Sequence, residues 1–151
     1  MNIKEKLEKA FASYIANVLT ESDTPCYEGT RADDLVFPCV IATVESIALM
    51  IPETDIANSY AANMSFSIIG NARDTSVTEH YARVETVKSA LDDLETIQST
   101  MNATAPDRVV EDLHIYNARM DNSQTSGRDE RNFGDVLGYV IHCQDVDGES
   151  E

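Results

Sequence analysis

Three histidines, three cysteines and several paired carboxylates are the side chains here that could do chemistry. His114 and His142 fall in two runs of alternating hydrophobicity, Cys143 follows His142 directly, and His80 stands apart. A Cys–His pair could act as nucleophile and base, or the group could hold zinc. Neighbouring residues on a strand point to opposite faces, so His142 and Cys143 cannot readily serve one metal, and strand packing is the simpler reading. Asp33-Asp34, Asp92-Asp93, Glu111-Asp112 and Asp129-Glu130 have the composition of carboxylate catalysis, but in so acidic a chain such neighbours arise by chance and stay solvated. Asp145-Val-Asp147-Gly148-Glu149 holds part of a calcium loop without the remaining ligands or flanking helices. Gly29, Gly70, Gly127, Gly134, Gly138 and Gly148 are isolated, so no glycine-rich phosphate cradle forms, and neither Gly-x-Ser-x-Gly nor His-Glu-x-x-His occurs. These residues converge on no active site. The expectation is a protein that is not an enzyme and has no metal and no cofactor.

The elements that would carry those residues are better defined than the chemistry. Ile3, Leu7, Phe11, Tyr14 and Val18 recur at steps of three and four, which predicts an amphipathic helix over Ile3–Leu19 with Lys4, Glu5, Glu8 and Lys9 on its solvent side. Ser22–Phe37 reads as an irregular connection with room for a short strand at Cys26–Glu28. After Pro38 a run rich in β-branched residues predicts a strand to Ile51, with a face switch or bulge near Glu45–Ser46 because neither face is apolar throughout. Ala62, Met64, Phe66 and Ile68 alternate with Asn63, Ser65 and Ser67, a half-buried strand that forms an antiparallel hairpin with the first. Ser76-Val-Thr-Glu79 has the form of a capping box, and Val77, Tyr81, Val84, Val87, Leu91 and Leu94 predict a helix ending between Leu94 and Gln98. Val109–Met120 and Val136–Cys143 predict two more strands, separated by the polar insert Asp121–Asn132, an exposed and mobile loop. The order is α-β-β-α-β-β, in a single α+β domain over residues 1–144 followed by an acidic flexible tail at 145–151.

Composition narrows the function classes. The chain has 151 residues, 42% of them hydrophobic, enough for one core. No apolar stretch is long enough to span a bilayer, and the charged N-terminus lacks the apolar centre of a signal peptide, so the expected site is the cytoplasm, without membrane contact. Cys26, Cys39 and Cys143 are odd in number and widely spaced; three free thiols are the simplest account, and whether two of them pair is a question of geometry. Asp and Glu number 27 against 11 Lys plus Arg, for a formal net charge of −16. Such a surface repels nucleic-acid phosphates and disfavours specific binding to them. Solubility or adaptation to salt is the plain reading of that charge; a surface that DNA must slide past without adhering is the sharper one.

The whole-chain layout resembles the tail terminator (tail completion) proteins of long-tailed bacteriophages, and more loosely other small phage neck proteins. It comprises the N-terminal helix, the strand at Phe37-Pro38-Cys39-Val40-Ile41-Ala42-Thr43-Val44, the strand at Asn63–Ile69, the capped helix at Ser76–Leu94 and two C-terminal strands around a polar loop. The resemblance implies an α+β fold with a mostly antiparallel sheet of about four strands and two helices packed on one face. It implies a structural virion component, assembled in the host cytoplasm, that self-associates into a ring, commonly a hexamer. That ring caps the tail tube, meets the tube protein and the head connector, and lets DNA through its lumen. No contact residues follow from the family. Exposure selects Arg128, Asp129, Glu130 and Arg131 on the insert, and Ile47, Leu49 and Ile51 beside a polar link, as the expected interaction residues. A rival from another class is an acidic binding module or adaptor, such as a DNA mimic, that occupies a basic site on a partner and binds it in a salt-sensitive way.

Overall fold

The computed structural model describes residues 2–22, 24–29, 35–49, 59–71, 76–102, 104–106, 108–128 and 132–145. The fold is α+β, with three helices and one mixed five-stranded sheet. Helix α1 (Ile3–Val18) begins at Asn2, whose side chain accepts the Glu5 N–H, and leads through a single 3-10 turn (Thr20–Ser22) to β1 (Cys26–Glu28). Strands β2 (Cys39–Leu49) and β3 (Ser59–Asn71) follow, then α2 (Val77–Asp92), α3 (Leu94–Met101), β4 (Leu113–Arg128) and β5 (Asn132–Asp145). The strand order is β1-β2-β3-β5-β4; β1 runs parallel to β2 and every other pair is antiparallel.

Several expectations hold to the residue. β2 begins directly after Pro38 and pairs with β3, and its register shifts between Val44 and Ser46, where the face switch was expected. Ser76 caps α2 by accepting the Glu79 N–H. Four details differ. The sheet has a fifth strand, β1, and the order is α-β-β-β-α-α-β-β. The second helix stops at Asp92, and Asp93 then caps a separate α3 through the Thr96 N–H, because a carboxylate there satisfies the free donors of a new first turn. In α2 the inward positions are His80, Arg83, Val84, Val87 and Leu91, whereas Tyr81 is 56% exposed. Val109–Asp112 is a turn, with Asp112 at φ 67, and β4 starts at Leu113.

The polar insert is the largest correction. Asp121–Arg128 continues β4, and Asn132 already belongs to β5, with Ser123 opposite Gly138 and Arg128 opposite Phe133. A ladder of backbone hydrogen bonds requires no apolar side chain, so hydrophobic alternation is silent about a polar strand. β4 also carries two register shifts, at Ile115/Asn117 and Met120/Ser123. The first returns Ala118 and Met120 to the face of Leu113 and Ile115, where simple alternation would put them opposite. The tail boundary moves as well, since Asp145 ends β5 and is 1% exposed, while residues 146–151 lie outside the described ones.

All three helices pack on one face of the sheet. Phe11 of α1 meets Phe66 of β3 at 5.7 Å between ring centroids, and Phe66 meets Tyr139 of β5 edge-on at 6.1 Å. Around this aromatic chain, Leu7, Ile15, Met64, Ile68, Leu91, Ile97, Leu113 and Ile115 are fully buried. Among the described residues the opposite face carries no helix.

Candidate interaction surfaces

Asn102 follows α3 as its C-cap, and its side chain turns toward the outer edge of the sheet. Its Oδ1 accepts the Ile115 N–H at 2.7 Å and its Nδ2 donates to the Ile115 carbonyl at 3.3 Å. Gln98 Nε2 donates to the same carbonyl at 3.1 Å. A side-chain amide offers the donor and acceptor of a peptide group, so Asn102 stands in for a missing strand and seals the β4 edge at Ile115. From Asn117 to Arg128 no described group other than β5 pairs with the β4 backbone. Among the described residues the edge is thus closed at one end and open along most of its length.

Buried charges hold the two layers in register. Lys6 Nζ lies 2.9 Å from Asp145 Oδ1, which ties the first turns of α1 to the last residue of β5. Glu8, expected on the solvent side of α1, is fully buried and accepts the Val44 N–H at 3.0 Å beside the β2 bulge. The bulge frees that donor from the ladder, and the carboxylate satisfies it. On α2, His80 Nε2 sits 2.9 Å from Asp135 Oδ1 while its ring stacks on Phe133. Arg83, also expected on a solvated face, is 8% exposed and donates through Nε to Thr24; burial lowers its pKa.

Among the described residues the cysteines and histidines do not form a nucleophile–base pair. The three cysteines are free, and burial pushes the Cys26 and Cys143 thiols up to about 12 and that of Cys39 to about 11, so all are protonated at neutral pH. Cys143 lies in the core and His142 on the other side of the sheet. His114 touches Tyr116 and Asn102. Among the described residues, no three of His, Cys, Asp and Glu come together as a metal-binding group, and no helix is long and apolar enough to cross a membrane. Two grooves cross the helical layer. One of about 600 Å³ runs between α1 and α3 past Ser13, Asn17, Ser99 and Thr100, and a shallower one of about 500 Å³ lies beside Tyr14, Glu85, Ser89 and Asp93.

The expected interaction residues scatter. Arg128 is the last residue of β4, whereas Asp129, Glu130, Arg131 and Ile51 lie outside the described residues. Ile47 is partly buried against the core opposite Ala62, because the bulge turns it to the helical side, and so only part of it reaches the surface. Leu49, at the end of β2, is 61% exposed. Asn102 and Gln98 were not singled out; a polar residue that caps an edge leaves no periodic trace in the sequence. No protein-family model matches the chain, and no curated protein matches it in sequence.

Proposed function

We propose that the protein is a structural component of a phage-like particle, self-associating into a ring that closes a tail tube and presents a surface to a head connector. The observation that favours this reading is the 16-residue edge strand β4, whose outer side is open from Asn117 to Arg128 among the described residues. Long open edges are surfaces on which another chain can add. The role is mechanical and needs no reaction. A net charge of −16 suits a lumen through which DNA slides without sticking. The test is to mix the purified protein with tail tubes and look for capped ends by electron microscopy. Rings or capped ends support the reading, and tubes whose ends stay bare at saturating protein sink it.

A second reading draws on one specific observation. Glu79, Glu85, Asp92, Asp93 and Glu95 are all exposed along α2 and α3. That acidic strip favours an adaptor that occupies a basic site on a partner. It predicts binding that weakens steeply as salt rises.

A further inference from the structure

We propose that the helix-free face of the sheet is a self-association surface on which a second copy of this chain docks, sheet face to sheet face. The register defines the surface row by row. Residues paired across an antiparallel ladder share a face, so Ile69 and Gly134 form one row with Cys39, which is fully buried, and Ile41, Ser67 and Val136 form the next. Thr43, Ser65 and Gly138 follow, then Ser46, Asn63, Val140 and Arg119, and last Ala48, Ala61, His142 and Asn117. None of these is acidic, although 27 of the 151 residues of the chain are Asp or Glu. The acids closest to the rows stand in bulges: Glu45, which accepts the Ser65 hydroxyl, and the exposed Asp121.

Charge selects the occupant. Every copy carries the acidic strip of α2 and α3, so a contact that used the helical layer would bring many carboxylates together out of water, at a large desolvation cost. Two sheet faces can meet without that cost. Glycine, serine and alanine let them approach closely, while half-buried Ile41, Ile69, Val136 and Val140 provide apolar area. The 16 residues of these rows other than Cys39, each covering about 4.8 by 6.8 Å, span roughly 520 Å² per copy. Two such faces bury roughly 1,050 Å², just above the roughly 1,000 Å² that a specific interface must clear. This contact does not depend on the ring reading, because it uses a face and the ring uses an edge.

Sedimentation velocity across a salt series is the direct test on the unaltered protein. Net repulsion between two acidic copies is screened by salt while the neutral contact is not, so the dimer fraction rises between about 20 and 500 mM NaCl. Ser67→Glu and Val136→Glu each weaken the dimer by roughly tenfold or more, because a symmetric contact meets each new acid twice. Ser67→Gln, of equal size without charge, keeps it, and Ser89→Glu on the helical layer leaves it unchanged. A monomer at every salt concentration, association that falls with salt, or equal association of Ser67→Glu and Ser67→Gln overturns the proposal. Capping of tail tubes by a protein that stays monomeric at every salt would overturn this contact alone and leave the ring reading standing.

Discussion

The two faces of one sheet have opposite chemistry. On the helical side polar side chains are buried against specific partners: Lys6 with Asp145, Glu8 with the Val44 N–H, His80 with Asp135. On the open side the rows hold mostly small uncharged residues with Arg119 and His142 among them, and the acids nearest to them among the described residues, Glu45 and Asp121, stand in bulges. A buried charge is tolerated where a fixed partner meets it, and an exposed neutral face is retained where contact, not solubility, sets the composition. The helical side therefore governs stability, the proposed contact lies on the open side, and substitutions on the two should fall into separate classes.

The largest expected effect is on the helical side. Lys6→Met leaves Asp145 buried beside Lys6's former position, with its Oδ2 already lacking a partner, and should cost about 3–5 kcal/mol in urea unfolding. Adding Asp145→Leu should restore most of that loss. A single variant as stable as the wild type would show that the pair is dispensable. Asn102→Ala removes the amide that satisfies Ile115 and should cost about 1–3 kcal/mol. It should also speed amide exchange at Ile115 ahead of the β3 and β5 amides, and unchanged protection there would remove Asn102 as the edge cap.

Alkaline pH probes the same side more gently. Burial holds the Tyr14 phenol up at about 12, with Asp93 adding to it, and burial with the Asp92 hydrogen bond raises Tyr139 further. Each is raised above its unfolded value, so its contribution is complete below about pH 10 and is lost as pH climbs through the folded value. The buried cysteines bring the onset down to about pH 9. Urea midpoints should therefore fall steadily from about pH 9 to 12, and less steeply in Tyr14→Phe; a flat profile would contradict the burial of these groups. Tyr139→Phe at neutral pH should cost about 1 kcal/mol, the worth of its bond to Asp92. The smallest effect belongs to the exposed end of β2, where Leu49→Ser should shift stability by less than about 0.5 kcal/mol in thermal unfolding. A larger loss there would mean that Leu49 is packed.

The parts of the fold visible in the sequence are those with apolar rhythm. The stripe of α1, the alternation of β3 and the start of β2 at Pro38 stand where their periods put them. What escaped has no such rhythm. Asp121–Arg128 is a strand because β5 lies beside it, and its Ser, Thr, Gln and Asn residues resemble those of a loop. Tyr81 and Arg83 exchanged their expected sides because the first turns of α2 pack on Asp135 and Thr24 and not on an apolar surface. Of the expected interaction residues, Ile47 turned inward at a bulge whose position was legible but whose effect on the face was not.

By itself the sequence determined the class of the fold, the phase of the first helix, the β2–β3 hairpin and the acidic character of the surface. Each of these follows from side-chain period or composition, which are properties of a single segment. The tertiary structure alone decided that Glu8 and Lys6 are buried, that Asn102 closes one end of the β4 edge, and that the paired rows of the helix-free face hold no acid among the described residues. Those facts depend on register between segments distant in the chain. Register is set by how strands and helices pack together, and no local pattern carries it.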